Sequence, residues 1–154
     1  MQFRAKSLND DEYRALAQKV ISCCHQKGAR VLLNAEPSLA VELGADGVHL
    51  SSRRLMALTE RPLSDGFVCA ASCHNAQELA HARSCGLNFS VLGAVQATKS
   101  HPGREALGWE QAGELIDEAG LPVFALGGMS EADMEQAWRH GAQGVAAIRA
   151  FWCD

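Results

Sequence analysis

The sequence lacks the features of membrane, secreted and nucleic-acid-binding proteins. It contains no run approaching the roughly 20 apolar residues of a membrane-spanning helix, and its first residues do not form a secretory signal peptide. Its 14 basic against 18 acidic residues give a net charge of −4, so it has no basic excess with which to bind a nucleic-acid backbone. We therefore expect a cytoplasmic protein that binds neither membrane nor nucleic acid.

The six cysteines also lack the paired spacing of a disulfide scaffold or a zinc site. Cys69, Cys73 and His74 are close in sequence, but they include no C-x-x-C pair and have no clear fourth ligand. A chain of 154 residues with 47% apolar content can bury one core without cross-links. We therefore expect reduced thiols, no metal at these cysteines, and a single domain over residues 1–154.

Helix and strand patterns alternate along the chain. Asn9 begins the first helix, Glu12 completes a capping box with it, and Gly28 ends it. Short apolar runs between the predicted helices are typical of strands buried on both faces. The predicted strands cover residues 1–4, 30–34, 47–50, 67–72, 89–95, 122–126 and 144–148.

A repeated motif indicates that the chain is built from one structural unit. GADGV at 44–48 returns as GAQGV at 141–145, each time where a helix leads into a strand. Strands joined through one helix run parallel, which fits either a closed barrel or an open doubly wound sheet. We predict a TIM-type (βα) barrel. Since seven strands are predicted where eight close a barrel, we expect it to lack its first βα unit and to self-associate through unpaired edges.

Polar residues follow the predicted strands, at the end where parallel barrels bind ligands. Gly127 and Gly128 precede a helix that we expect Ser130 to cap, so backbone N–H groups can approach an anion there. The next strand leads to Arg149. This arrangement predicts a phosphate site, although two glycines also suit a simple tight turn. The other rim candidates are Arg4, Lys6, Asn34, His49, Ser51, Ser72, Thr98, Ser100 and His101.

Successive motifs resemble landmarks of the thiamine phosphate synthase/TenI family. They are QFRAK at 2–6, LLN at 32–34, LGADGVHL at 43–50, ASCH at 71–74 and ALGGMSEAD at 125–133. The matches follow one order over nearly the whole chain. In addition, SHPG at 100–103, LGW at 107–109 and IRAFW at 148–152 are similar to the barrel domain fused behind Nudix hydrolases in some bacteria.

The resemblance implies a role in thiamine biosynthesis, in which a pyrimidine diphosphate ionises with help from magnesium and a thiazole phosphate captures the cation. It maps the pyrimidine and diphosphate contacts onto Gln2, Arg4, Lys6, Asn34 and Ser72. It maps the thiazole phosphate contacts onto Thr98, Ser100, Gly127, Gly128, Ile148 and Arg149. The implied partner is a small phosphorylated ligand.

Several residues depart from the family pattern. Ala35 and Arg54 stand where the family has two magnesium-binding aspartates, so two hard oxygen ligands are missing. Ala94 stands where the TenI tautomerase needs a histidine, while His101 and Ala5 replace a lysine and a glutamate of the family motifs. Two functions therefore stay open. One is a divergent synthase in which Arg54 replaces the metal's charge; the other is a non-catalytic ligand-binding domain that serves a partner such as a Nudix hydrolase.

Overall fold

The computed structural model describes residues 1–98 and 105–151, which form one parallel sheet with helices on one side. Each strand pairs with the strands that precede and follow it in the chain. A doubly wound sheet would reverse its strand order at a switch point, so the consecutive order excludes that alternative. The sheet curls into a half-barrel, which confirms the predicted (βα) barrel class. Its strands are β1 (Gln2–Phe3), β2 (Leu32–Leu33), β3 (Gly47–Leu50), β4 (Val68–Cys73), β5 (Phe89–Gly93), β6 (Val123–Leu126) and β7 (Gly144–Ala146).

The helices lie between consecutive strands, and their caps follow the sequence. They are α1 (Asp10–His25), α2 (Pro37–Glu42), α3 (Ser52–Leu55), α4 (Ala76–Ser84), α5 (Gly108–Ala119) and α6 (Met134–Arg139). In the predicted capping box, the Asn9 side chain accepts from the Glu12 N–H at 3.0 Å, and the Glu12 carboxylate accepts from the Asn9 N–H at 3.1 Å. Over the described residues, no helix has the length and apolar character needed to span a membrane.

The predicted cap at Ser130 begins a different type of helix from the one expected. The sequence predicts that Ser130 caps the last helix, but it caps a short 3-10 turn, Glu131–Asp133, that precedes α6. Asp133 sits three residues after Ser130, and its carboxylate accepts from both the N–H and the hydroxyl of Ser130 at 2.8 Å. These bonds hold the tighter turn in place before the α-helix starts.

The two faces of the sheet differ in burial. Phe3 packs its ring against Tyr13 of α1 at a centroid distance of 5.1 Å, so this side faces the helices. Residues in register with Phe3 and at alternate positions are fully or almost fully buried on that side: Leu33, Val48, Leu50, Cys69, Ala71, Ser90, Leu92, Val123 and Ala125. On the inner face, His49 and Ala70 are buried, whereas Val68, Ser72, Phe89 and Phe124 are partly exposed. The inner face of the half-barrel is therefore partly open.

The repeated motif forms the same structure twice. The Ala45 N–H donates to the Ala40 carbonyl at 2.9 Å, and the Ala142 N–H donates to the Ala137 carbonyl at 3.0 Å. Both helices therefore end in the same turn. Gly47 and Gly144 then begin their strands, and each has φ of +155°. The sequence repeat is therefore a structural repeat of the link from helix to strand.

Some strands are shorter than their apolar runs. The apolar run at 30–34 predicts a strand, but β2 covers only Leu32–Leu33. Val31 is fully buried, yet its N–H donates to the carboxylate of Asp46 at 2.7 Å. A side chain thus takes the place of a neighbouring strand at this position. Apolar patterning reports burial, and burial extends beyond the hydrogen-bonded ladder here.

Candidate functional site

A polar cluster lies on the inner face of the half-barrel, with His49 at its centre. His49 is only 3% exposed. Its Nε2 atom is 2.9 Å from the hydroxyl of Ser72 on β4, and its backbone carbonyl accepts from the side-chain amide of Asn34 at 2.8 Å. One residue of β3 thus holds the side chains of two predicted ligand contacts, Asn34 and Ser72.

The electrostatics of the cluster keep the His49 ring neutral. Burial, assisted by the nearby positive charge of Arg4, lowers the pKa of His49 from 6.5 to about 4. At neutral pH the ring is therefore a fixed hydrogen-bonding group and a weak base. Sequence reasoning places His49 at the rim and leaves two roles open, a general base or an ordinary strand-end hydrogen-bonding residue, of which it favours the second. The signal for its inward position is its place in the strand. His49 follows the buried Gly47 by two residues, and residues two apart in a strand lie on the same face.

The residues after β1 lie beside this cluster. Asn34 N–H donates to the carbonyl of Phe3 at 2.9 Å, which places the end of β2 against the end of β1. Gln2 and Arg4 alternate with Phe3, so they belong to the inner face, and both are exposed. Lys6 is exposed beyond the end of the strand. The structure thus brings Arg4, Asn34 and Ser72 around His49, while Gln2 lies further from the rim.

An ion pair occupies the rim after β2 and β3. The Arg54 guanidinium lies 2.8 Å from the carboxylate of Glu36, with side-chain exposures of 32% and 67%. Ala35, immediately before Glu36, is buried with 6% exposure. The positions where the family would place two aspartates therefore present a methyl group and a guanidinium already bound to a carboxylate.

These residues do not fit magnesium. The Ala35 side chain has no oxygen, and the Arg54 guanidinium would repel a divalent cation at this corner. In the part of the chain that the structure describes, no group of three or more His, Cys, Asp or Glu residues is arranged to hold a metal ion. Neither residue can therefore hold magnesium at this corner of the rim.

The loops after β5 and β6 pack closely together. The Gln96 N–H donates to the Gly127 carbonyl at 3.1 Å, and the Val95 N–H donates to the Leu126 carbonyl at 2.8 Å. A Cβ at Gly127 would lie 2.6 Å from the Ala94 Cβ, and one at Gly128 would lie 2.9 Å from the Ala97 carbonyl oxygen. Both glycines also have positive φ, of +100° and +70°. Both observations require glycine in this loop contact, whether or not the loop also binds an anion.

A carboxylate fixes the start of the 3-10 turn beside these glycines. In addition to its bonds with Ser130, Asp133 accepts from the side-chain amide of Gln96 at 3.0 Å. The hydrogen bonds from Ser130 lower the pKa of Asp133, with a smaller contribution from Gln96. The carboxylate therefore joins the loop after β5 to the turn after β6.

The remaining predicted ligand contacts lie in the loops after β5 and β7, which the structure describes only in part. Thr98 is partly buried in the loop after β5, and Ile148 and Arg149 are exposed after β7. Ser100 and His101 lie outside the described residues. Thr98 follows the carboxyl end of β5, and Ile148 and Arg149 follow that of β7, so these three described residues belong to the same rim as the His49 cluster. Their role in binding stays a prediction.

Cys69 and Cys73 do not converge with His74. Both thiols lie on the helix-covered side of β4, where burial raises the pKa of Cys69 and raises that of Cys73 to about 11. His74 instead directs Nδ1 to the backbone carbonyl of Gly93, at 2.5 Å. The two thiols are thus protonated core side chains.

Fold and rim together define a protein of the (βα) barrel class. The family described as thiamine monophosphate synthase matches residues 1–151. The chain is 36% identical over its full length to a relative from Geobacter sulfurreducens, of which it covers 73%. It is 30% identical to the thiamine-phosphate synthase of Thermus thermophilus, over 98% of this chain and 73% of that protein. The chain belongs to the thiamine monophosphate synthase family.

A solved structure agrees at the level of the fold. The thiamine phosphate pyrophosphorylase from Pyrococcus furiosus superposes with a TM-score of 0.74, covering 96% of this chain and 70% of that one. The two sequences share 19% identity. This likeness therefore supports the barrel architecture and says nothing about the ligand.

Proposed function

We propose that this chain is a thiamine phosphate synthase-like protein that binds a pyrimidine diphosphate and a thiazole phosphate at its rim and couples them. One observation carries the proposal. His49 joins Asn34 and Ser72 into a single hydrogen-bonded cluster, and the charge of Arg4 is close enough to act on its ring. The names of the relatives from Geobacter sulfurreducens and Thermus thermophilus support the thiamine context of this cluster.

The rim residues suit the two halves of such a ligand pair. Arg4 and Lys6 alternate with Ala5 after β1, so both can approach the diphosphate and neutralise its charge. The Asn34 amide and the Ser72 hydroxyl are held in place to hydrogen-bond the pyrimidine end. The loop at Gly127 and Gly128 is the proposed position of the thiazole phosphate, with Thr98, Ile148 and Arg149 as further proposed contacts; Ser100, which the resemblance also implies, lies outside the described residues.

The coupling step requires charge neutralisation at the leaving group. The bond between the pyrimidine methylene carbon and the diphosphate oxygen breaks, and pyrophosphate leaves with the electron pair. The lone pair of the thiazole nitrogen then forms the new carbon–nitrogen bond. Arg4 and Lys6 stabilise the charge that develops on the departing oxygen, and the rim orients the two substrates.

A second candidate is a non-catalytic domain that binds the phosphorylated ligand without converting it. The ion pair between Arg54 and Glu36 favours it, because it occupies the corner where the family resemblance expects metal-binding aspartates. Ala94 removes the histidine of the tautomerase reaction. In this case the domain serves a partner such as a Nudix hydrolase, in the same chain or in another.

The test combines binding and turnover. We expect calorimetry to detect binding of thiazole phosphate, and a coupling assay with the pyrimidine diphosphate to yield thiamine phosphate. The Arg149→Ala variant should weaken thiazole phosphate binding at least about tenfold, since a charge-assisted bond is lost. Arg139→Ala is the matched control, because Arg139 is exposed on α6 and pairs with Glu135 of the same helix.

The results separate the two candidates. Binding without product, with or without magnesium, would select the non-catalytic domain. If both Arg149→Ala and Arg139→Ala left the affinity unchanged, Arg149 would not belong to the site.

A further inference from the structure

Positive charge collects on the rim above the first three strands. Arg4 and Lys6 follow β1, and Arg54 follows β3 on α3. We infer that Arg54 neutralises the phosphorylated end of the ligand at this corner, and that the protein binds this anion without a divalent metal. The inference rests on the proposed function, since it assigns a binding mode to the same ligand-binding rim.

The guanidinium of Arg54 is placed over the end of β2. It contacts Glu36, which is two residues beyond Asn34, and Asn34 itself joins the His49 cluster. Arg54 also lies near Tyr13, which packs on Phe3 of β1. Burial raises the pKa of Tyr13, and the charge of Arg54 opposes that shift. Arg54 therefore lies near the end of β2 and near Tyr13 of α1.

The backbone that carries Arg54 is fixed, whereas its side chain has room to move. The Ser51 hydroxyl accepts from the Arg54 N–H at 3.4 Å and caps α3. Leu55, the next residue, is fully buried and anchors the helix. The side chain of Arg54 remains 32% exposed. A short anchored helix thus presents a guanidinium to the solvent-accessible rim.

The chemistry of this corner favours an anion over a metal ion. A guanidinium binds phosphate oxygens in a two-pronged geometry, and its charge repels divalent cations. The bond that an incoming phosphate must break is a surface ion pair with Glu36, and such pairs contribute little to stability. A phosphate or diphosphate group can therefore displace the carboxylate of Glu36 and take over Arg54.

This exchange gives Glu36 a defined role as a competitor. In the free protein its carboxylate holds the guanidinium, and it also adds negative charge where the anion must bind. Removing that charge should strengthen anion binding. A residue with only a structural role would not produce such a gain when it is substituted.

The experiment is calorimetry with inorganic pyrophosphate in a buffer that contains EDTA. We expect the unmodified protein to bind, and Arg54→Ala to lower the affinity at least about tenfold because a charge-assisted contact is lost. Glu36→Gln should raise the affinity severalfold. Arg53→Ala is the matched control, since Arg53 precedes Arg54 on the same helix turn and is exposed, and it should change the affinity less than about twofold.

The alternative results distinguish this inference from the proposed function. Binding that requires added magnesium, or that is unaffected by Arg54→Ala, would overturn the metal-free mode and leave the ligand-binding rim in place. If Arg54→Ala does not fold by circular dichroism, Glu36→Gln decides, and a failure to tighten binding overturns the inference. If neither pyrophosphate nor thiazole phosphate binds with or without magnesium, the proposed function fails too.

Discussion

At the scale of the residue, the molecule depends on a buried histidine that stays uncharged. His49 is enclosed by the sheet, its ring contacts Phe89 edge-on at a centroid distance of 6.5 Å, and its Nε2 meets the Ser72 hydroxyl. Protonation would place a second positive charge near Arg4 in a poorly solvated position. Folding therefore favours the neutral ring.

This preference predicts a pH dependence of stability. The unfolded chain binds a proton on His49 below about pH 6.5, whereas the folded protein does so only below about pH 4. Stability therefore increases with pH between these values, and it falls as the pH is lowered through that window. Between pH 7 and pH 4.5, the unmodified protein should lose about 2 kcal/mol more unfolding free energy than His49→Gln. Urea unfolding at each pH measures the difference.

The pH window between about 4 and 6.5 distinguishes the titration of His49 from that of the Asp46 and Asp133 carboxylates. Burial raises the pKa of Asp46, but hydrogen bonds from Val31 and His25 outweigh it, and its net pKa lies below 3.8, as does that of Asp133. Their stabilising contributions are therefore lost only at a pH below that window. Equal pH slopes for the unmodified protein and His49→Gln would show that the ring is not held neutral by the fold.

At the scale of the element, the surroundings of the repeated turn determine whether the first glycine of β3 or of β7 can be replaced by a residue with a side chain. A Cβ at Gly47 would lie 1.8 Å from the backbone carbonyl oxygen of Val68. At Gly144 the nearest atom is the sulfur of Met134, at 3.2 Å, on a flexible side chain that can yield. The two copies share a conformation but differ in what surrounds them.

Alanine substitutions should show this difference. We expect Gly47→Ala to lower the free energy of unfolding by at least about 3 kcal/mol, because it adds a backbone clash to an unfavourable φ. Gly144→Ala should cost less. The control is Gly66→Ala, where a Cβ meets no atom within 4 Å, and urea unfolding of the three variants gives the ranking. Equal losses for Gly47→Ala and Gly66→Ala would contradict the clash.

The sequence predicted elements better than contacts. Local signals, such as the capping box at Asn9 and the repeat at 44–48, were sufficient for helices, strands and parallel pairing. The limits of β2 were not predictable, because they depend on an Asp46 carboxylate that arrives from another loop. A hydrogen-bonding role for His49 is predictable from its place at a strand end, but its partners are not, since Asn34 and Ser72 lie 15 and 23 residues away in sequence.

At the scale of the whole molecule, the described sheet has two edge strands. β1 pairs with β2 and β7 pairs with β6, so each edge has one strand neighbour in the described sheet. Apolar side chains are exposed near these edges, including Met1, Ile148 and Phe151 with exposures of 50%, 70% and 51%. Edge strands with apolar neighbours favour pairing between chains.

We therefore expect the chain to self-associate at micromolar concentration. Light scattering should give a mass above the 16.5 kDa of one chain. Phe151→Lys should lower that mass, because a charge beside β7 opposes association. Met56→Lys serves as the control, since Met56 is 40% exposed after α3 and away from both edges. A stable monomer across the concentration range would refute the expectation.

The consecutive strand order has a consequence for biosynthesis of the chain. Since every strand pairs with its neighbour in sequence, each new βα unit finds its partner already made when it leaves the ribosome. In the described sheet, no strand pairing joins the first strand to the last. The nascent polypeptide can thus build its sheet one unit at a time as translation proceeds.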